Sequence, residues 1–209
     1  MNLYNIIRVF CLFLFKLYFK VEVIGKENIE KISSGVILIS NHKSYLDPLL
    51  LSLYSKNKLY FMAKKELFMV PIFSQIIRKF GAFPVDREKR DVGAVLKAVD
   101  IAKEGKIVAM FPQGRRSEDI EKDIPKTGFL RIALSSRCSI LPCSLYYESY
   151  FPRSRIFISY GKLVDVLKIL KENEVSCGEL DYKEIRSLTK NVWGNVLNLY
   201  KKQELEYRK

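Results

Sequence analysis

The sequence predicts an α/β fold, a single layered domain in which helices flank a mixed, largely parallel sheet, with an apolar helix ahead of it at the N-terminus. Three observations lead there. Continuous apolar runs of strand length recur, among them GVILIS (35–40) and KIVAMF (106–111). Segments with helical spacing alternate with these runs, and 209 residues with 48% hydrophobic content suit one core better than two.

Each element has its own signal. Residues 3–19, LYNIIRVFCLFLFKLYF, are dense in Leu, Ile and Phe but interrupted by Arg8 and Lys16, and no small-residue cleavage site follows. As a helix the stretch measures about 25 Å, short of a hydrocarbon core of roughly 30 Å. An interfacial membrane-anchoring helix is therefore the first reading, with a short spanning helix and a buried core helix as alternatives. VEVIG (21–25) reads as a strand, and GVILIS as one covered on both faces. The pair Asp47-Pro48 resembles an N-cap and first helical position, opening a helix through PLLLSLYSK. LYFMAK (59–64) is a further strand, Pro71 to Lys79 a helix, and GAFPVDR (81–87) turn-like. Val92, Val95, Leu96, Val99 and Ala102 fall at helical spacing, and Gly105 stops them. KIVAMF empties into PQGRRS; a helix over 128–136, strands SILPCSLYY and RIFISYG, and a helix over 182–204 complete the chain.

Composition narrows the partners. Thirty-six Lys and Arg against 23 Asp and Glu leave a net charge of +13, which favours an anionic partner, nucleic acid or the negatively charged cytoplasmic face of a membrane. The cations are spread along the chain without a zinc-finger, RNP or helix-turn-helix pattern, so no nucleic acid is expected. The four cysteines (Cys11, Cys138, Cys143, Cys177) have no paired short spacing, so neither a zinc site nor a redox pair is expected.

Ligands of open α/β sheets bind beyond the carboxyl ends of strands. Two polar loops, NHKSYLD and PQGRRS, begin where an apolar strand ends. The first holds His42, the only histidine, with Asp47 five positions later. On a regular helix that spacing separates side chains by about 140°, so the two meet only if the intervening loop bends before the helix starts. If they meet, a neutral imidazole can take a proton from a hydroxyl while the carboxylate fixes its tautomer. GAFPVDR and FPQGRRS each pair a proline with arginines, groups suited to gripping a phosphate.

These residues resemble the glycerolipid acyltransferase family typified by 1-acylglycerol-3-phosphate acyltransferase. NHKSYLD matches its N-H-x-x-x-x-D block, GAFPVDR its second, FPQGRRS its F-P-E-G-T-R-S third, and ILPCSL its proline-containing fourth; KELF after Lys64 and KTGFLRIA are similar to intervening segments. The resemblance spans roughly residues 21–165 and implies an acyltransferase domain over 21–209 behind a membrane-associating helix over 1–20. It implies that His42 is the general base and Asp47 its orienting partner. Arg87 and Arg116, with Lys64, would bind the acceptor phosphate; Gln113 would contact the acceptor, Gly114 let backbone approach it, and Pro142 be structural. The implied reaction moves a fatty-acyl group from a thioester, acyl-CoA or acyl carrier protein, to the sn-2 hydroxyl of lysophosphatidic acid, without cofactor or metal. Another lysolipid acceptor, or a catalytically silent lipid-binding homologue, is the alternative. Backbone N–H groups of the first or third loop would stabilise the oxyanion. Gln113 stands where the family has Glu, keeping its shape without its charge, and Arg115 stands where it has Thr.

Overall fold

Apolar runs of four to eight residues at the middle of the chain become strands buried on both faces, and this fixes the architecture. The computed structural model describes residues 3–86, 91–149, 151–172 and 180–209. Seven strands, β1 (Lys20–Ile24), β2 (Val36–Ile39), β3 (Leu59–Lys64), β4 (Ala82–Val85), β5 (Ile107–Met110), β6 (Ser139–Tyr146) and β7 (Arg155–Tyr160), form one sheet in the order β1-β7-β6-β2-β5-β3-β4. β6, β2, β5, β3 and β4 run parallel; β7 pairs antiparallel with β6, and β1 follows β7 in parallel. The expectation of a mixed, largely parallel sheet is met.

Every residue of β2 is buried, because helices cover both faces. Ile37 and Ile39 point into a core shared with α5 (Val92–Lys103), α6 (Gly128–Ser136) and α8 (Tyr182–Tyr207), where Ala98, Phe129, Trp193 and Val196 pack. Val36 and Leu38 point the other way, onto Ile29 of α2 (Lys26–Glu30) and Leu50 and Leu51 of α3 (Asp47–Tyr54). A strand with that alternation cannot slip register by one residue without exchanging its two cores. The N-terminus of α8 is fixed by a capping box, with the Asp181 side chain accepting from the Glu184 N–H and Glu184 answering at the Asp181 N–H.

Three expectations need correction. GAFPVDR is not a turn throughout: residues 82–85 form β4, paired only with β3 at the sheet edge. Pro84 is tolerated there because an edge strand has a side that needs no N–H donor. The helix after the first polar loop begins at Asp47 itself, with Leu46 as its cap and Pro48 inside the first turn, so Asp47 is a helical residue and not the N-cap. The short α2, a 3₁₀ turn over Lys65–Met69, and α7 (Val166–Glu172) stand where no element was expected. The helix expected over Pro71–Lys79 forms there, as α4.

The N-terminal helix, α1 (Leu3–Tyr18), lies along α3. Arg8 donates to the carbonyls of Leu53 and Ser55 at 3.0 and 2.8 Å, satisfying acceptors at the end of α3 with a cation where the helix dipole is negative. Ile6, Phe10, Phe13 and Leu17 remain exposed on one face, so α1 is not a core helix. Among the described residues no helix is long and apolar enough to cross a membrane.

Candidate active site

Parallel pairing of β2 with β5 brings the loops that leave their carboxyl ends side by side. The Ser40 N–H donates to the Met110 carbonyl at 3.1 Å, and the Ser117 N–H donates to the His42 carbonyl at 2.9 Å. The first and third polar blocks are thus one structure, stitched by backbone hydrogen bonds at both ends.

Within it a turn at residues 45–46, closed by the Asp47 N–H donating to the Ser44 carbonyl at 3.3 Å, leads into α3, and the Asp47 side chain reaches back. Its Oδ2 lies 2.8 Å from His42 Nδ1 and accepts from the N–H groups of Lys43 and Ser44, both at 2.7 Å. Its Oδ1 accepts from the Tyr147 hydroxyl at 2.7 Å. Asp47 is fully buried, and the His42 side chain is 12% exposed. A carboxylate surrounded by donors can only accept, so the proton on the imidazole belongs on Nδ1, leaving the lone pair on Nε2. The ring plane is held as well, stacked on Phe111 with centroids 4.2 Å apart.

The backbone behind the imidazole is equally committed. The His42 N–H donates to Gln113 Oε1 at 2.6 Å, and Gln113 Nε2 donates to Asp123 Oδ2 at 2.5 Å. His42, Lys43 and Ser44 thus all spend their N–H groups on side chains, while in the third loop those of Gly114 and Ser117 donate to the Phe111 and His42 carbonyls. Gly114 turns that loop with φ of 71°, a conformation glycine adopts without penalty.

Arg116 lies with its guanidinium 3.6 Å from the ring centroid of Tyr45, a residue of the His42 loop. Both side chains are exposed, and the stacking ties this cation to the His42 loop. Lys64 ends β3, on the same sheet edge, and pairs with Glu66 at 3.5 Å; β5 separates its strand from β2. Arg87 lies outside the described residues. Pro142 sits in β6 opposite Ile39 of β2.

Tyr147, Asp123, Tyr45 and Phe111 were not singled out from the sequence. Phe111 and Tyr45 belong to the motif blocks, and their aromaticity was the available signal. Asp123 and Tyr147 lie 10 and 100 residues from their partners, distances that only the tertiary fold closes. Burial pushes the Cys143 thiol up, away from the thiolate form that a nucleophile needs. Among the described residues, no group of three His, Cys, Asp or Glu is placed to hold a metal ion.

An imidazole oriented by a buried carboxylate at the carboxyl edge of a parallel sheet is an arrangement able to activate a hydroxyl, and the Arg116 guanidinium adds a positive charge stacked on the same loop. The chain belongs to the acyltransferase family, whose family model matches residues 20–146. It is 31% identical over 170 residues to the 1-acyl-sn-glycerol-3-phosphate acyltransferase of Borreliella burgdorferi, covering 75% of this chain and 68% of that protein. The Streptococcus pneumoniae protein of the same name is 33% identical over 145 residues, covering 66% and 53%. That of Bacillus subtilis is 32% identical over 126 residues, covering 59% and 61%. The match therefore spans between about half and two thirds of these relatives. The crystal structure of the 1-acyl-sn-glycerophosphate (LPA) acyltransferase, PlsC, from Thermotoga maritima superposes with a TM-score of 0.67 at 25% identity, covering 91% of this chain and 77% of that one.

Proposed function

We propose that the protein transfers a fatty-acyl group from an acyl thioester to the sn-2 hydroxyl of lysophosphatidic acid, giving phosphatidic acid. The observation that carries this is the 2.8 Å contact of His42 Nδ1 with the buried Asp47 carboxylate, beside the stacked guanidinium of Arg116. His42 Nε2 takes the proton of the hydroxyl as its oxygen attacks the thioester carbonyl. The tetrahedral intermediate collapses, the carbon–sulfur bond breaks, and the imidazolium returns the proton to the departing thiolate. Asp47 stabilises that imidazolium, and no acyl group rests on the protein. Arg116, with Lys64 and Arg87, binds the acceptor phosphate; Gly114 lets the third loop approach it. The donor is acyl-CoA or acyl carrier protein.

The same reading places the protein on a membrane at its cytoplasmic face. The exposed face of α1, with Ile6, Phe10, Phe13 and Leu17, suits an interfacial anchor of residues 1–20 on a domain of 21–209. Segments leaving the sheet on the His42 side add exposed Tyr45, Met69, Ile72 and Phe151, and the net charge of +13 suits anionic headgroups. A lysolipid entering from the bilayer would thus meet the site without crossing water.

The test is steady-state acyl transfer across a panel of lysolipids differing in headgroup. Lysophosphatidate is expected to be the best acceptor. Arg116→Ala is expected to raise its KM by about 10- to 100-fold, the loss of a charge-assisted contact of ~1.5–3 kcal/mol, with less change in kcat. A preference for acceptors with larger headgroups, or an unchanged KM, would remove Arg116 from the phosphate site.

A further inference from the structure

We infer that Asp123 is a positioning residue for His42, acting through Gln113, and that Gln113, Arg115 and Asp123 form one matched set. Gln113 is only 6% exposed and stands between two groups of opposite kind. On one side the His42 N–H donates to its Oε1, and on the other Asp123 Oδ2 accepts from its Nε2. An amide, with one accepting and one donating end, satisfies both. A carboxylate at this position would turn an oxygen towards the Asp123 oxygen at a separation that two ionised carboxylates cannot hold.

Asp123 is itself fixed. Its side chain is 6% exposed, and its Oδ1 accepts from Arg115 Nη2 at 3.2 Å while the Arg115 side chain is otherwise 74% exposed. Ile120, three residues earlier, is buried in the core, and the Lys126 N–H donates to the Pro112 carbonyl at 2.8 Å, closing the segment on itself. The negative charge behind the His42 backbone is therefore supplied from position 123 and balanced by Arg115, and the neutral Gln113 relays its position. Glutamine at 113 and arginine at 115, the two departures from the F-P-E-G-T-R-S pattern, have one physical cause in Asp123.

A charge exchange tests this. Gln113→Glu alone is expected to lower kcat about tenfold or more, with the acceptor KM within about threefold, because it disturbs the base and not the phosphate contacts. Adding Asp123→Asn lets the introduced carboxylate accept from both the His42 N–H and the new side-chain amide. In that double variant kcat is expected to return to within about threefold of wild type, well above the product of the two single effects. Full activity in Gln113→Glu, or a double variant no better than that product, would overturn the inference. The kinetic readout rests on the proposed acyl transfer, so the same four proteins are also compared in thermal unfolding. A wild type that transfers no acyl group would sink the proposed reaction alone. In that case a double variant melting above Gln113→Glu still supports the matched set, and one melting no higher refutes it.

Discussion

Replacement of His42 by alanine is expected to lower kcat for acyl transfer by about 10²- to 10⁴-fold, the range a positioned general base contributes. The chain has no second histidine to take its place. The acceptor KM is expected to change little, because in the proposed mechanism the imidazole acts on the hydroxyl and the cations hold the phosphate. Stability should also be nearly unchanged: the ring is partly exposed and its loss leaves Asp47 with three donors, the two N–H groups and the Tyr147 hydroxyl. Steady-state kinetics with a thermal melt would show a folded, inactive protein. A folded variant retaining more than about a tenth of wild-type kcat would remove His42 from the chemistry.

Asp47→Asn is expected to have the second largest effect, a fall in kcat of about 10²- to 10³-fold, comparable with the loss of a preorganised electrostatic contact. The surrounding donors make this variant informative. The Lys43 and Ser44 N–H groups both point at Oδ2, so they compel the amide oxygen into that position and turn the NH₂ towards Tyr147, whose hydroxyl can accept. His42 Nδ1–H thus keeps an acceptor and its tautomer. What disappears is the negative charge that stabilises the imidazolium, and the measured loss reads that charge. Turnover within about threefold of wild type in a folded Asp47→Asn protein would mean that the carboxylate only shapes the loop.

Much of this arrangement is legible in the sequence. The alternation of apolar runs and amphipathic segments is enough for the sheet, because β2 and β5 are buried and show it as unbroken hydrophobicity, while β6 is buried although Pro142 and Ser144 interrupt its apolar run. The His42–Asp47 contact can be anticipated from Asp47-Pro48, which marks where the loop must have finished bending. Its details cannot. Asp47 looks like a forward cap, yet its side chain turns back onto the imidazole and the N–H groups of Lys43 and Ser44. Pro84 suggests a turn because nothing local reveals that its strand lies at the sheet edge, where a missing donor costs nothing. Tyr147 reaches Asp47 only because β6 lies beside β2, and Asp123 reaches Gln113 only because the segment after the third block folds back on Pro112. Such partners are set by topology, and a single sequence records their identities without their proximity.

All of the proposed chemistry reduces to one oriented imidazole activating a lipid hydroxyl against a thioester, with no acyl-enzyme stage. Purified protein, labelled lysophosphatidate and acyl-CoA or acyl carrier protein thioester suffice to examine it, with labelled phosphatidate and free thiol followed together. Both products are expected in equal amounts with at least one donor, with no burst of thiol ahead of phosphatidate. Thiol released ahead of phosphatidate in an amount matching the enzyme, or no phosphatidate from either donor, would be incompatible with direct transfer by His42.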